Sequence, residues 1–308
     1  MTVRGVGLGL RWELFDALEA HLDGAGGRLP VDFFEVSPEN FMRRGGRYAE
    51  TFRRVAADYP VVTHGLTMSL GGTDPLGDDY LRDLGAFVRD VGSPWHSDHL
   101  CFGSADGRRL HDLLPLSFKR ASVARIADRI RRAQDVLGVP LAVENVSFYW
   151  HPGAPEMGEA EFLAAVCDAA GCGLLLDVNN AYVNATNFGH DVDAWMDTAP
   201  LERTVQIHVA GHEWFAVSEQ GVGEAQEAGG VDGAMIVDTH GADVADPVLA
   251  LLGRVLERTG AVPVLLERDQ NIPELGELLE ELGRVRAVWE ASVRPRAEEH
   301  APRAQIGQ

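Results

Sequence analysis

Short apolar runs alternate with longer amphipathic stretches along most of the chain. The runs are "GVGLGLR" (5–11), "VDFFEVSP" (31–38), "PVVTHGL" (60–66), "WHSDHLCF" (95–102), "PLAVENVSF" (140–148), "GLLLDVNNAY" (173–182), "TVQIHVAG" (204–211) and "VPVLLERD" (262–269). The stretches between them predict helices, most clearly over 46–58, 78–91, 116–137, 159–170, 246–259 and 273–290. Strands separated by helices imply parallel βαβ units. Eight such units over 308 residues predict a closed (β/α)₈ TIM barrel. A doubly wound open sheet is the alternative. It wants a G-x-G-x-x-G turn after the first strand, and "GVGLGL" lacks that spacing.

Two segments fall outside the repeat. Residues 212–245 read as a long connection rich in Gly and Glu, and long loops in compact domains are functional or disordered. The tail "SVRPRAEEHAPRAQIGQ" (292–308) has no apolar period and is expected to be disordered. Residues 1–291 are expected to form one catalytic domain.

The polar residues at the strand ends change the picture. His64, His99, Glu144, Asp177, His208 and Glu267 each follow an apolar run, toward the C-terminal end of the third to the eighth strand. In a barrel these ends converge on the rim that carries the active site. The long connection adds Asp238 and His240, which face the same way on an extended segment. So many carboxylates need a counter-charge, and cationic side chains are few at these ends; Arg268 should face away from Glu267. Metal ions supply the charge. Mixed imidazole and carboxylate ligands suit iron, manganese or zinc, and eight candidates fit two or three ions with a carboxylate such as Glu144 bridging. No C-x-x-C pair exists for a thiolate zinc site.

Other polar residues are weaker candidates. Asn145, Asn179 and Asn180 could ligate metal or orient ligands, Asn179 being favoured by its spacing of two from Asp177. His212 reads equally as a ligand or a loop residue. Glu39 and Asn40 read equally as substrate contacts or helix caps. Within "SPWHSDHLCF" (93–102), alternation puts Ser97, His99 and Cys101 on one face and His96 and Asp98 on the other. His96 is then structural, Asp98 orients a neighbour, and Cys101 lines the pocket.

Composition narrows the class of partner. A formal net charge of −20 argues against a nucleic-acid binder, whose affinity rests on Lys and Arg. The three cysteines give no disulfide framework. No signal peptide and no apolar run long enough for a membrane span are found, so the chain is expected to be cytoplasmic.

Taken in order, "FFEVSPENF", "THGLTMSLG", "SDHLCF", "VENVS", "LLDVNN", "IHVAGH", "DTHG" and "LLERD" resemble the multinuclear non-haem iron-dependent oxidative enzymes, over about residues 4–289. That family includes the oxazolone-forming enzyme of methanobactin biosynthesis and the carbon-excising enzyme of 3-thiaglutamate biosynthesis. The resemblance implies a xylose-isomerase-like barrel with two or three irons at its mouth. It implies that His64, His99 and Glu144 hold one iron, and Glu144, Asp177, His208 and Glu267 a neighbour. Asp238 and His240, with Asn179, would hold a third, more labile ion. It further implies dioxygen as co-substrate, a ribosomally made precursor peptide modified most commonly at cysteine, and a separate peptide-recognition protein. The segment between "IHVAGH" and "DTHG" looks longer than the family's pattern, which makes the third site the least secure.

A redox-neutral metal-dependent barrel enzyme is the rival reading. An endonuclease would want basic residues, which the net charge disfavours. A sugar isomerase or epimerase would want a lysine at a strand end, and Lys119 lies on an expected helix. A metal-binding accessory protein is a third class.

Overall fold

The computed structural model describes residues 3–24, 27–218, 221–226 and 234–293. The first half of the chain contributes β1 (Val6–Gly9), α1 (Phe15–Asp23), β2 (Phe34–Val36), α2 (Arg47–Asp58), β3 (Val61–Gly65), α3 (Asp78–Val91) and β4 (His96–His99). A hairpin of β5 (Phe102–Ala105) and β6 (Arg108–Leu114) follows, then α4 (Arg120–Leu137), β7 (Leu141–Glu144) and α5 (Glu159–Ala170). Next come β8 (Gly173–Asp177), α6 (Val178–Phe188), α7 (Val192–Thr198) and β9 (Thr204–Ala210). The chain continues through β10 (His212–Ser218), β11 (Gly221–Gln226), β12 (Ala234–Asp238), α8 (Asp246–Thr259), β13 (Val264–Glu267) and α9 (Leu275–Val293).

Each expected apolar run supplies one barrel strand, and the strands close in the order β1-β13-β9-β8-β7-β4-β3-β2, all parallel. This is the TIM barrel the spacing predicts. Its strands read as continuous apolar runs because both faces are buried. The outer faces join the helices in the main core, with Val6, Leu8, Phe34, Val143, Leu174 and Val209 packed against residues such as Leu84, Ile130 and Leu252. Inside, a small separate cluster of Val3, Phe33, Val62 and Leu265 plugs the N-terminal end. Gly7 faces that interior: a Cβ there would stand 2.5 Å from the Phe33 ring. Bare backbone on β1 thus makes room for an aromatic plug.

The structure departs from the expected pattern in four places. The run 173–182 is not one strand. It ends at Asp177, whose carboxylate accepts a hydrogen bond from Asn180 N (2.6 Å) and starts α6. An Asp capping a helix satisfies an otherwise unpaired N–H and outweighs the apolar look of "VNNAY". The connection 212–245 is not an irregular loop: β10 pairs with both β11 and β12 in a three-stranded antiparallel sheet. Residues 116–119 precede α4, and the segment before them forms the β5–β6 hairpin. Finally, α9 runs to Val293, past the expected start of the tail; residues 294–308 lie outside the described residues. Among the described residues no helix is long and apolar enough to cross a membrane.

Glu159, the first residue of α5, gives a stability prediction. Its carboxylate accepts hydrogen bonds from Trp195 Nε1 (3.0 Å) and Asn184 Nδ2 (3.3 Å). Burial still pushes its pKa up, to about 7 from 4.5. A carboxyl raised on folding holds an extra proton in the native state between these values. Stability therefore falls as pH rises from about 4.5 to about 7. Glu159→Gln stays neutral and removes that fall. Its Tm relative to wild type should climb across this window, on the order of 2 kcal/mol in stability. A Tm difference that is flat from pH 4 to pH 8 would sink the assignment.

Candidate metal centre

Side chains on a strand alternate, so every second residue enters the barrel. Along β2, β3 and β13 the inward positions go from apolar (Phe33, Val62, Leu265) to polar (Glu35, His64, Glu267) within two residues. The apolar layer plugs the base, and the polar layer forms a buried floor at the C-terminal mouth. Register sets the neighbours: His64 lies opposite Ser97, His99 opposite Glu144, and Asp177 opposite His208.

Glu144 sits at the centre. Its Oε2 lies 3.3 Å from His64 Nε2 and 3.2 Å from His99 Nε2, and the two imidazole nitrogens are 3.2 Å apart. Its Oε1 lies 3.3 Å from His208 Nδ1, which is 3.0 Å from Glu267 Oε2. Three groups of potential ligand atoms lie within 4.8 Å of one another: His64, His99 and Glu144; Glu144, Asp177, His208 and Glu267; and His240, Glu267 and Asp269. Glu144 and Glu267 each belong to two groups.

The third group differs from the expected one. His240 is gathered with Glu267 and Asp269, its Nδ1 lying 3.7 Å and 3.1 Å from their oxygens. Asp238 meets the other ring nitrogen, 2.9 Å from Nε2, and accepts a hydrogen bond from Asn179 Nδ2 at 2.8 Å. Asp238 thus contacts both His240 and Asn179, though only His240 of the three falls in the third group, and Asp269 is an addition. Asn179 reaches the site from the first turn of α6, not from a strand, and its Oδ1 meets His212 Nδ1 (2.7 Å). The loop that delivers His240 is tightly pinned. His240 has φ 49° and donates from its backbone N–H to Gly211 O (3.0 Å). At Gly211 a Cβ would overlap Ala242 O at 1.8 Å.

The remaining candidates serve the frame. Asn145 exchanges two 2.9 Å hydrogen bonds with the Asp177 backbone, and Asn180 Nδ2 donates to Asn145 O (3.1 Å). Glu39 accepts from Leu66 N, Thr67 Oγ1 and Tyr80 Oη, which ties down the segment after β3. Asn40 lines the cavity above the site. His96 packs outward with Nδ1 3.1 Å from Thr63 Oγ1, and Asp98 accepts from His99 N (2.8 Å). Arg268 points away from Glu267 to Asp243 (2.7 Å).

Sequence reasoning missed five contributors. Ser97 Oγ lies 3.0 Å from His64 Nδ1, and Glu35 Oε2 lies 3.0 Å from His208 Nε2. A carboxylate only accepts, so Glu35 keeps the proton on Nε2 and turns Nδ1 toward Glu144 and Glu267. Gln206 Nε2 donates to the same oxygen (2.6 Å), and Trp95 Nε1 donates to Gln206 Oε1 (3.0 Å). Arg11 pairs with Glu267 (2.7 Å) and with Asp269. Glu35 in "FFEVSP" had the same signal as the residues chosen, a polar side chain closing an apolar run.

The donor set can be tested for its fit to cations. Glu144 Oε2, Asp177 Oδ2, His208 Nδ1 and His240 Nε2 are buried without a hydrogen-bond partner. Burial raises the Asp177 pKa well above the ordinary value, and Asp238 and Glu144 add to it. Burial opposes a charged His208, yet Glu35 and Glu267 hold its pKa well above normal. His64 is depressed well below normal by burial and by the neighbouring His99 and His208. The floor thus crowds acidic groups whose charge burial disfavours beside imidazoles whose charge neighbouring carboxylates favour. Divalent cations among these oxygen and imidazole donors would relieve that crowding.

A cavity of about 790 Å³ opens over this floor, lined by Arg11, Leu66, His99, Cys101, His240 and Glu267 among others. It spans the β1, β2, β3, β4 and β13 part of the rim. The β12 end lies over the rest, where Tyr149 Oη accepts from Asp238 N (2.9 Å).

Closed parallel barrel and buried carboxylate–imidazole floor define a TIM-barrel protein of xylose-isomerase-like architecture with a candidate polynuclear metal centre. The profile of the RiPP precursor modification enzymes MbnB/TglH/ChrH matches residues 5–290, and the chain belongs to that family, whose members modify ribosomally made precursor peptides. It is 41% identical over 288 residues to a UPF0276 protein of Shewanella amazonensis, covering 94% of this chain and 95% of that one. It is 44% identical over 291 residues to a UPF0276 protein of Pseudomonas aeruginosa, covering 94% of each. Among solved structures, 3-keto-D-glucoside 4-epimerase of E. coli is similar with a TM-score of 0.55 at 12% identity, covering 92% of this chain and 99% of that one. D-psicose 3-epimerase of Clostridium cellulolyticum gives 0.52 at 11%, covering 94% and 98%. At these identities the likeness is one of fold alone.

Glu35→Ala should remove the acceptor shared by His208 Nε2 and Gln206 Nε2, which lie 2.9 Å apart, so that at least one buried N–H loses its partner. One unpaired buried donor costs roughly 1–3 kcal/mol. Urea unfolding of the metal-free protein should show this loss with an unchanged m value. A loss under about 0.5 kcal/mol would mean that Glu35 does not hold His208.

Proposed function

We propose that this protein is a multinuclear iron, dioxygen-dependent oxidase that modifies a residue, most commonly cysteine, of a ribosomally made precursor peptide. The observation that carries the reading is the set of three overlapping ligand groups joined through Glu144 and Glu267, in a chain of a peptide-modifying family. His64, His99 and Glu144 would hold one ion, and Glu144, Asp177, His208 and Glu267 a second. His240 and Glu267, with Asp238, Asn179 or Asp269, would hold a third. Bound iron would supply one-electron chemistry with dioxygen at the peptide side chain.

The chain's own residues do the rest. Ser97 and Glu35 fix the His64 and His208 rings so that the free nitrogens face Glu144. His99, His240 and Glu267 are ligands that line the open cavity, so a peptide side chain would arrive between β4 and the β12–β13 side of the centre. Cys101 lines the same cavity but is buried, and burial raises its thiol pKa, so it is no nucleophile. Arg11 compensates part of the charge on Glu267 and Asp269. The hydrophobic base closes the barrel behind the site and limits water there. A cytoplasmic setting, with a separate recognition protein delivering the peptide, completes the reading.

Protein purified without oxygen should carry iron at up to three ions per chain, one per group. With the precursor peptide it should consume dioxygen and change the peptide's mass. Full activity with zinc alone would exclude an iron oxidase. His99→Ala should fold normally and lose about one ion. Loss of residues that merely support a ligand costs 10–100-fold, so loss of a ligand should lower turnover by more than about 100-fold.

A further inference from the structure

Strands beside the cavity mouth differ in whether their edges are closed. On β12, the Asn187 amide pairs with both Ile236 N (2.9 Å) and Ile236 O (2.8 Å). Tyr149 Oη takes Asp238 N two residues on. On β5, Ser69 Oγ accepts from Gly103 N (3.0 Å) and Ser104 N (3.2 Å). Side chains thus occupy the outward backbone groups of both strands.

The outer edge of β6 is open at Arg109. Asp106 and Gly107, with φ 51° and 71°, make the two-residue turn between Ala105 and Arg108. The pair flanking such a turn exchanges hydrogen bonds, and the next pair, Ser104 and Arg109, turns its N–H and C=O groups outward. Ser104 obeys this, since its N–H leaves the hairpin for Ser69. The matching groups of Arg109 have no partner among the described residues. Nor, among the described residues, do the guanidinium groups of Arg108 and Arg109 have a carboxylate, in a chain of net charge −20. Arg11, the other arginine on the main cavity, is already paired twice. Arg109 lines both that cavity and a neighbouring one of about 400 Å³ on the other side of the hairpin. Leu110 and Leu113 stand 43% and 40% exposed on the same strand.

The geometry points to the β6 edge as the docking strand for an extended, acidic segment of the peptide substrate, with Arg109 pairing to a side-chain carboxylate. This rests on the peptide-modifying reading and adds where the peptide lies and what chemistry it carries there. Backbone pairing on an open edge supplies sequence-independent affinity, and cross-strand side chains supply selectivity. Pairing needs backbone on both sides of the contact, so the carboxylate opposite Arg109 belongs to a mid-chain Asp or Glu, not to the chain terminus. Beyond Arg109 the hairpin register shifts before Phe102 meets Leu114, so backbone pairing is confined to the Arg109 end. From there the peptide runs past Leu110 and Leu113 into the main cavity that reaches His99. Arginines on the edge also deter a second copy from pairing, which keeps it free for an acidic strand.

The test uses the iron-loaded protein with its peptide-recognition partner and a precursor peptide sought among the neighbouring genes, with a version whose acidic residues are Asn and Gln and a version amidated at its C-terminus. Arg109→Gln removes the charge and leaves the edge; Arg109→Pro removes the outward N–H as well, a change edge strands tolerate. The proposal expects KM to rise about tenfold or more in Arg109→Gln, and further in Arg109→Pro, with kcat within about twofold and iron content unchanged. A tenfold change matches the roughly 1.4 kcal/mol of one charge-assisted contact. The Asn/Gln peptide should bind as weakly to wild type as the acidic peptide binds to Arg109→Gln, and should be indifferent to the mutation. Unchanged KM in both variants, with wild type still modifying the peptide, overturns the docking edge and leaves the peptide-oxidase reading standing. Sensitivity to the C-terminal amide in place of the acidic residues overturns the side-chain contact. A wild-type dimer that Arg109→Pro makes monomeric, at unchanged KM, would assign the edge to a second copy. Wild type that neither binds nor modifies the peptide overturns both readings together.

Discussion

Glu144 is the residue on which the rest of the site depends. It is 2% exposed, it ends an entirely buried strand, and its two oxygens lie against three imidazoles from three other strands. An ionised carboxylate in such a place is costly unless hydrogen bonds or cations surround it. The surrounding donors are imidazoles, which can give a proton or accept a cation. The same contacts therefore serve a metal-free and a metal-loaded floor. Strand register fixes which of them meet, because His99 stands opposite Glu144 and Asp177 opposite His208. A slip of one residue would turn the whole set into the helix layer.

The charge imbalance at this floor is graded. Toward β1, Arg11 sits against Glu267 and Asp269 and supplies a permanent positive charge. Toward β8, no arginine or lysine is paired with Asp177 or Asp238 among the described residues, and burial pushes the Asp177 pKa well above its ordinary value. Demand for added charge is thus greatest around Glu144 and Asp177, the two-group centre. It is least around His240, Glu267 and Asp269, where Arg11 already stands. An ion in that third group would be held more weakly for this electrostatic reason alone, independently of the number of its ligands.

The barrel and the central ligands were legible in the sequence because each obeys a local rule. A strand buried on both faces is a plain apolar run, and a polar residue closing it at an inward position stands out against that run. His64, His99, Glu144, Asp177, His208 and Glu267 were visible in this way. Asp269 was not, since its place depends on Arg11, which lies 258 residues away along the chain. The added sheets were hidden for a different reason. Strands β5, β6 and β10 are exposed or half-exposed, so they lack the apolar continuity that marks the barrel strands. Their pairing comes from partners and turns, such as Asp106–Gly107. The Asp177 cap was hidden because it competes with an apolar stretch, and the capping hydrogen bond decides the outcome.

These two hidden sheets decide what can reach the floor. The three-stranded sheet brings Asp238 and His212 against Asn179, and its outer strand is sealed by Asn187 and Tyr149. It completes the rim over β7, β8 and β9. The hairpin follows β4, the strand next to β7, beside His99, and its backbone is sealed on one side only. One excursion therefore ends in side chains that finish the ligand set, and the other ends in exposed backbone, leucines and unpaired arginines. A rigid barrel carrying both can hold the floor constant while the hairpin alone is altered. No residue of β6 belongs to the three ligand groups, so change there can retune what enters without replacing a ligand.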